Sequence, residues 1–341
     1  MAAHTICMYM KVDGAGLDKA ETWRRLEAVV VKALGGQSAN PTVVSLSNNC
    51  EHDKVIIIPG NNGSHAVMRV YSSGLITLDI QHLITSEYKT TEDSPYNMEF
   101  IRMLENDIKH DLSDLLVEMN SLYAPIRRGQ TVWPYAVSAD DRILEMDYDE
   151  LIFEKKSRYQ TIRIFHSREF GNVLFLDGDA MLGESDLIYT RSLLCDGGES
   201  YSDKEILILG GGDGGLLHEL LKEKPKMIMI EDCVKVLHDS IKSGKQYDYV
   251  INDLTEFPVE KAVKGFGYDL KTTSLITELS LKAIKPGGKV LARGNCWGAY
   301  DYREHFEREM RQLNCDFKRR DVFVPSFQET YPFHFSSIDH G

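Results

Sequence analysis

The chain has 341 residues, 43% hydrophobic and 27% charged, a balance that fits a globular fold of two or three domains with ample core. Its 39 Lys and Arg against 52 Asp and Glu leave a net charge of −13, which argues against nucleic acid or an anionic membrane as a partner. Small polycations would be steered toward it if the acids cluster in a cleft, whereas charge alone is explained more simply by solubility.

In chain order, residues up to about Ile126 read as one layered α+β unit. Thr22–Leu34 carries apolar residues at helical spacing, and Lys54–Ile58 and Ser73–Ile80 read as strands around the turn Gly60-Asn61-Asn62-Gly63. Ser94-Pro95 is expected to start one or two amphipathic helices running to Tyr123. From Gln130 to about Leu194 the segments are short and β-rich: Arg142–Tyr148, Glu150–Glu154, Tyr159–Phe165, Asn172–Leu176 and Ala180–Leu182. With Gly-Asn and Asp-Gly turns they predict a small antiparallel sheet. From Tyr201 strands and helices alternate: Ile206–Leu209, Gly215–Lys222, Met227–Ile230, Val234–Lys242, Tyr247–Ile251, Thr273–Ile284, Lys289–Arg293 and Tyr302–Leu313. This is the α/β pattern of a doubly wound, Rossmann-like (methyltransferase-like) domain. The expected domains are 1–128, 129–197 and 198–341.

Six cysteines without a C-x-x-C pair disfavour a disulfide framework or a zinc knuckle and fit a reducing, cytosolic compartment. No stretch approaches membrane-spanning length, and the N-terminus lacks a basic segment followed by a long apolar run. No H-x-x-x-H pattern supports a metal, and no Gly-x-Ser-x-Gly elbow supports a serine nucleophile. His166 and His218 read as packed or surface histidines, Cys233 and Cys296 as small core residues.

Chemistry concentrates after Ile206–Leu209. Gly210, Gly212 and Gly215 match G-x-G-x-x-G, yet Asp213 sits among them. A loop that cradles pyrophosphate works with bare N–H groups, so a carboxylate there repels a dinucleotide and attracts a cation. Asp213, the pair Glu231-Asp232, and Asp253 fall at the ends of three successive strands, where such folds bind ligands. One such acid is best explained as a turn or cap residue; three in succession point to an acidic pocket.

Several motifs then match one family. The loop Gly210–Gly215, Tyr159-Gln160, Phe170-Gly171-Asn172-Val173-Leu174 with Asp177-Gly178, and Glu184-Ser185-Asp186 followed by Tyr189 resemble the aminopropyltransferases, the polyamine synthases. The likeness runs from about Trp133 to Glu329. Asn252-Asp253-Leu254-Thr255 is similar to the spermine synthase version of the family motif, as is the N-terminal stretch Gly74-Leu75-Ile76-Thr77-Leu78-Asp79. The resemblance implies aminopropyl transfer from decarboxylated S-adenosylmethionine, a co-substrate, to a polyamine, with neither metal nor cofactor. It implies a homodimer paired through a decarboxylase-like N-terminal domain. It assigns Asp253 as proton acceptor and Asp213 and Tyr189 as the hold on the amine. Glu329 would grip the far end of spermidine, next to Phe327, which stands where the family usually has a tyrosine. Gln160 would touch the adenosyl group, Asp232 and Cys233 the adenine side, and Gly210 and Gly212 would form the loop.

The pattern departs from the family in one place. Lys226–Ile230 begins like the strand that ends in a ribose-binding acid, but Glu231-Asp232-Cys233 continues like the end of the next strand but one. One strand–helix step is missing, so the sheet is expected to lose an outer strand and Glu231 to serve two sites. Three other readings compete. A methyltransferase shares the fold, and a nicotinamide dehydrogenase is disfavoured by Asp213. A catalytically silent chain could act only as a dimer partner.

Overall fold

The computed structural model describes residues 2–13, 17, 19–36, 42–45, 53–84, 94–130, 132–231, 233–254, 270–313 and 316–337. The chain separates into two compact units, Met1–Pro134 and Tyr135–Gly341.

The first unit contains β1 (Ala2–Val12), α1 (Ala20–Ala33), β2 (Thr42–Ser45), β3 (Lys54–Pro59), β4 (His65–Val70), β5 (Leu75–Ile84), α2 (Met98–Asp111), β6 (Leu116–Met119) and β7 (Ile126–Arg128). The strands form one antiparallel sheet in the order β2-β3-β4-β5-β1-β6, with β7 also beside β1. Alternation in β5 buries Ile76, Leu78 and Ile80 on one face, where they pack with β1 residues against Leu26 and Val30 of α1 and Ile101 and Ile108 of α2.

Two expectations for this unit are corrected. The helix expected from Ser94 to Tyr123 covers only Met98–Asp111, capped by the Asn97 side chain, which accepts the N–H groups of Glu99 and Phe100. Ser94 instead accepts the Tyr96 N–H at 3.2 Å and meets buried His4 at 3.1 Å. Past the helix, Leu116–Met119 pairs with β1 as a strand. Residues 2–12, in which no element is expected from sequence, form a central strand of this sheet.

The second unit opens with a two-stranded hairpin, β8 (Tyr135–Val137) and β9 (Ile143–Glu145). Arg142–Tyr148 is therefore not one strand: Tyr148 already belongs to the next sheet. That sheet is β10 (Tyr148–Lys156), β11 (Thr161–Ser167), β12 (Gly171–Leu176) and β13 (Asp179–Gly183), antiparallel in sequence order. Then come α3 (Leu187–Leu193), β14 (Glu205–Gly210), α4 (Gly215–Leu221), β15 (Met227–Glu231), α5 (Cys233–Ser243), β16 (Tyr247–Asp253), α6 (Leu270–Lys282), β17 (Ile284–Arg293), α7 (Tyr300–Gln312), β18 (Asp316–Val324) and β19 (Glu329–Ser337).

The third sheet runs β15-β14-β16-β17-β19-β18; the first four strands are parallel and the last two antiparallel. β14 is fully buried from Ile206 to Leu209, as a central strand covered on both faces must be. The antiparallel pair β18 and β19 is not expected from the sequence pattern, because Asp316–Val324 is heavily charged. Met227–Glu231 lies at the open edge, with β14 as its only strand partner among the described residues. No helix among them is long and apolar enough to cross a membrane.

Candidate active site

The site grows from one close approach. β14 and β16 run parallel with Gly210 opposite Asp253. A Cβ on Gly210 would lie 2.2 Å from the Asp253 carbonyl oxygen, and Gly210 has φ +89°, so both space and backbone demand glycine. The Gly211 N–H donates to that same carbonyl at 3.3 Å. The chain then turns through left-handed Gly214 into α4, and the Asp213 carboxylate accepts the Gly215 N–H at 2.7 Å.

Asp253 ends β16 and accepts the Tyr189 hydroxyl at 2.7 Å. Tyr189 is buried in α3, with its ring edge-on to Phe333 at 5.4 Å and to Phe327 at 6.2 Å. Burial raises the Asp253 carboxyl to about 6, and the negative charge of Asp213 pushes the same way. The Tyr189 hydrogen bond and the charge of Arg293 oppose that rise. Asp213 is also raised, again by burial, against the pull of the Gly215 N–H. Burial and then Asp253 hold the Tyr189 phenol well above its ordinary value, so it remains a donor. Burial thus disfavours ionisation of both carboxylates, and the charge of Asp213 adds to the effect on Asp253.

A buried clamp aims these groups. Asp186 is fully buried and accepts the Gly183 N–H at 2.6 Å, the Ser326 N–H at 2.9 Å and the Ser326 hydroxyl. It ties the turn before α3 to the turn Pro325–Phe327, which explains why Phe327 meets Tyr189. Beyond it, the Glu329 carboxylate accepts the Ala139 N–H at 3.3 Å. Arg293, at the end of β17, donates to the Leu254 carbonyl at 3.2 Å and lies 5.4 Å over the Tyr331 ring.

Of the residues singled out in the sequence, Gly210, Asp213, Asp253 and Tyr189 converge, with Phe327 against Tyr189 and Glu329 two residues further on, at the start of β19. Glu231 ends β15, its backbone beside Leu209, one residue before the glycine loop. Cys233 is buried at the start of α5, and Gly212 is exposed at the loop crest. The Gln160 backbone closes its own hairpin turn onto the Ser157 hydroxyl at 2.9 Å, so this turn, not the pocket, accounts for its bonds. Asp232 lies outside the described residues. His166 meets Asp149 at 2.7 Å, His218 is exposed, and Cys296 is buried. No group of three His, Cys, Asp or Glu suited to a metal occurs among the described residues.

Arg293 escapes the sequence reading, and Asp186 enters it only within the Glu184-Ser185-Asp186 motif, without its clamp role. Arg293 closes the predicted strand Lys289–Arg293, so strand-end position alone could have flagged it. The Asp186 clamp spans 140 residues and leaves no local signal.

Fold and site together define a Rossmann-like catalytic domain, of the spermidine synthase type, joined to a small antiparallel β domain. A family model described as the spermine/spermidine synthase domain matches residues 222–338, and one described as the spermidine synthase tetramerisation domain matches 132–184. Polyamine aminopropyltransferase 1 of Aquifex aeolicus is 33% identical over 216 residues, covering 53% of this chain and 68% of that protein. Thermospermine synthase of Arabidopsis thaliana is 26% identical over 242 residues, covering 61% and 70%. The crystal structure of a spermidine synthase with the transition-state analogue AdoDATO aligns with a TM-score of 0.50 at 19% identity, covering 61% of this chain and 81% of that one. The chain belongs to the spermine/spermidine synthase family, the polyamine aminopropyltransferases.

Two predictions follow from this geometry. Gly210→Ala drives a methyl group into the Asp253 carbonyl and should cost more than about 2 kcal/mol in a urea titration, beyond a simple change of helix or strand propensity. Asp253→Asn should stabilise the ligand-free chain at pH 8. A carboxyl raised to about 6 disfavours the folded state once ionised, so its contribution is fully present below its ordinary value and is lost as pH rises through 6. The gain should approach roughly 3 kcal/mol at pH 8 and vanish near pH 4, read as the difference between the two chains' unfolding curves.

Proposed function

We propose that this chain transfers the aminopropyl group of decarboxylated S-adenosylmethionine to spermidine, releasing spermine and methylthioadenosine. The carrying observation is the coupled pair Asp213 and Asp253 under the Tyr189 hydroxyl, an arrangement suited to a multiply protonated amine. An ammonium bound there adds the positive charge that Asp213 lacks and that Arg293 supplies to Asp253 only in part.

An amine with a pKa near 10.4 carries a free lone pair in only about one molecule in 2,500 at pH 7, so removing its proton costs about 4.6 kcal/mol. Asp253 accepts that proton as the nitrogen attacks the sulfonium-linked carbon in line. Asp213 and Tyr189 hold the amine and fix its angle, and Glu329 takes the far ammonium beside Phe327. Gln160, Glu231, Asp232 and Cys233 line the nucleoside, with Gly210 and Gly212 clearing its approach. Methylthioadenosine leaves as a neutral thioether and needs no acid. In this reading residues 1–128 pair two subunits in a cytosolic homodimer, 129–197 form the small β domain and 198–341 the shortened catalytic domain.

The edge position of Met227–Glu231 favours a second reading, in which nucleoside binding is impaired and the chain serves only as a partner subunit. Calorimetric titration with methylthioadenosine separates the two: weak or no heat supports the second, whereas micromolar binding excludes it. Product analysis with decarboxylated S-adenosylmethionine and spermidine or putrescine tests the first. Spermine should form from spermidine, and Asp253→Asn should lower kcat by about 10²–10⁴-fold.

A further inference from the structure

The acidic pocket contains a cation. Parallel pairing of β16 with β17 sets Asn252 opposite Ala292, so Asp253 and Arg293 are the next residues along two neighbouring strands. The Arg293 guanidinium is anchored on both sides: it donates to the Leu254 carbonyl at 3.2 Å and rests 5.4 Å over Tyr331. Tyr331 in turn lies 5.4 Å from Phe327, whose ring meets Tyr189, the donor to Asp253. The arginine is therefore built into the wall that also holds the proton acceptor. A pocket meant only to attract polycations would gain nothing from it, since a like charge weakens the binding of every ammonium.

We propose that Arg293 is a positioning residue that keeps the Asp253 carboxylate ionised and turns the acceptor amine so that its attacking nitrogen, rather than a permanent ammonium, faces this end of the pocket. The proposal rests on the aminopropyl-transfer reading above. Among the described residues three ionisable groups face Asp253: Asp213 from the glycine loop, Tyr189 from α3 and Arg293 from β17. Asp213 and burial favour the protonated acid, which cannot accept a proton; Tyr189 and Arg293 favour the carboxylate. Arg293 is the one full positive charge of the set. The same charge disfavours an ammonium beside it and lowers the affinity of the attacking nitrogen for its proton. The permanent ammonium groups are left to Asp213 and Glu329. The attacking nitrogen loses one proton to Asp253, and no other group changes its protonation.

The test compares Arg293→Gln and Arg293→Lys in the full chain. For Arg293→Gln the acid limb of the rate profile should move up by about one pH unit. At pH 7 its kcat should fall roughly twofold and at pH 6 roughly fivefold while KM for spermidine also falls, and kcat should recover by pH 9. Arg293→Lys should keep the native profile. A merely structural prop for Leu254 would instead raise KM and lower kcat at every pH, and that result, or an unmoved profile in Arg293→Gln, overturns the proposal. A second readout needs no turnover: the pH midpoint at which the native chain and Asp253→Asn diverge in melting temperature. That midpoint should rise by about one unit when both carry Arg293→Gln. If no chain forms product, the aminopropyl-transfer reading fails, while this midpoint still decides whether Arg293 governs Asp253.

Discussion

The site depends on how closely β14 and β16 approach at their carboxyl ends. Gly210 lies against the carbonyl of Asp253 with no room for a side chain, and the next N–H, from Gly211, closes onto the same oxygen. This pins the start of the glycine loop to the end of the neighbouring strand. The loop then has one short path into α4, and Asp213 is fixed by its bond to Gly215. The two acids come together because two backbones do, and their mutual repulsion is a consequence of the sheet rather than of their side-chain rotamers.

That repulsion sets what would be favourable between the two acids. A poorly solvated carboxylate pair is unfavourable while empty, and removing one charge relieves it. Protonation does so at low pH, and a bound cation does so at neutral pH. The buried Asp186 clamp and the aromatic contacts of Tyr189 keep the walls from relaxing around the pair, so relief comes from the ligand rather than from movement of the protein. Binding energy of this kind is electrostatic and local.

Much of this was legible in the sequence where local pattern and tertiary role coincide. Strand, glycines and helix follow one another without interruption from Glu205 to Leu221, and each acid sits at a strand end. Strand β5 alternates cleanly, so its type is evident. Strand β1 does not: His4 and Thr5 are buried beside Ile6, and polar residues on the buried face blur the alternation. The stretch from Ser94 to Tyr123 has helical spacing beyond its helix, but Ser94 is engaged by His4 instead of capping. Strand β18 hides behind Lys318, Arg319 and Arg320, charges that suit a protected sheet edge and resemble a solvated helix or loop. Arg293 ends its strand one step beyond the pair Asn252 and Ala292, as Asp253 does, but a lone arginine at a strand end carries no local signal that it neighbours an acid.

The two edges of the third sheet differ, and the difference bears on function. The β18 edge carries charges that discourage further pairing, whereas Met227-Ile228-Met229-Ile230 on the β15 edge carries none, and Ile230 is 41% exposed. An uncharged apolar strand is what a doubly wound sheet places inside, next to another strand and under a helix. Its position here fits a sheet that ends one step early, as the motif order after Ile230 implies. The loss is not shared evenly between the two halves of the site. Asp253 and Arg293 end β16 and β17, both flanked by further strands, Tyr189 lies on α3, and Asp213 lies in the loop after β14. Glu231 alone stands on the exposed edge, and the nucleoside is the ligand it would hold. In the proposed reading, a sheet shortened at this edge leaves the amine half intact and its cost falls on the aminopropyl donor.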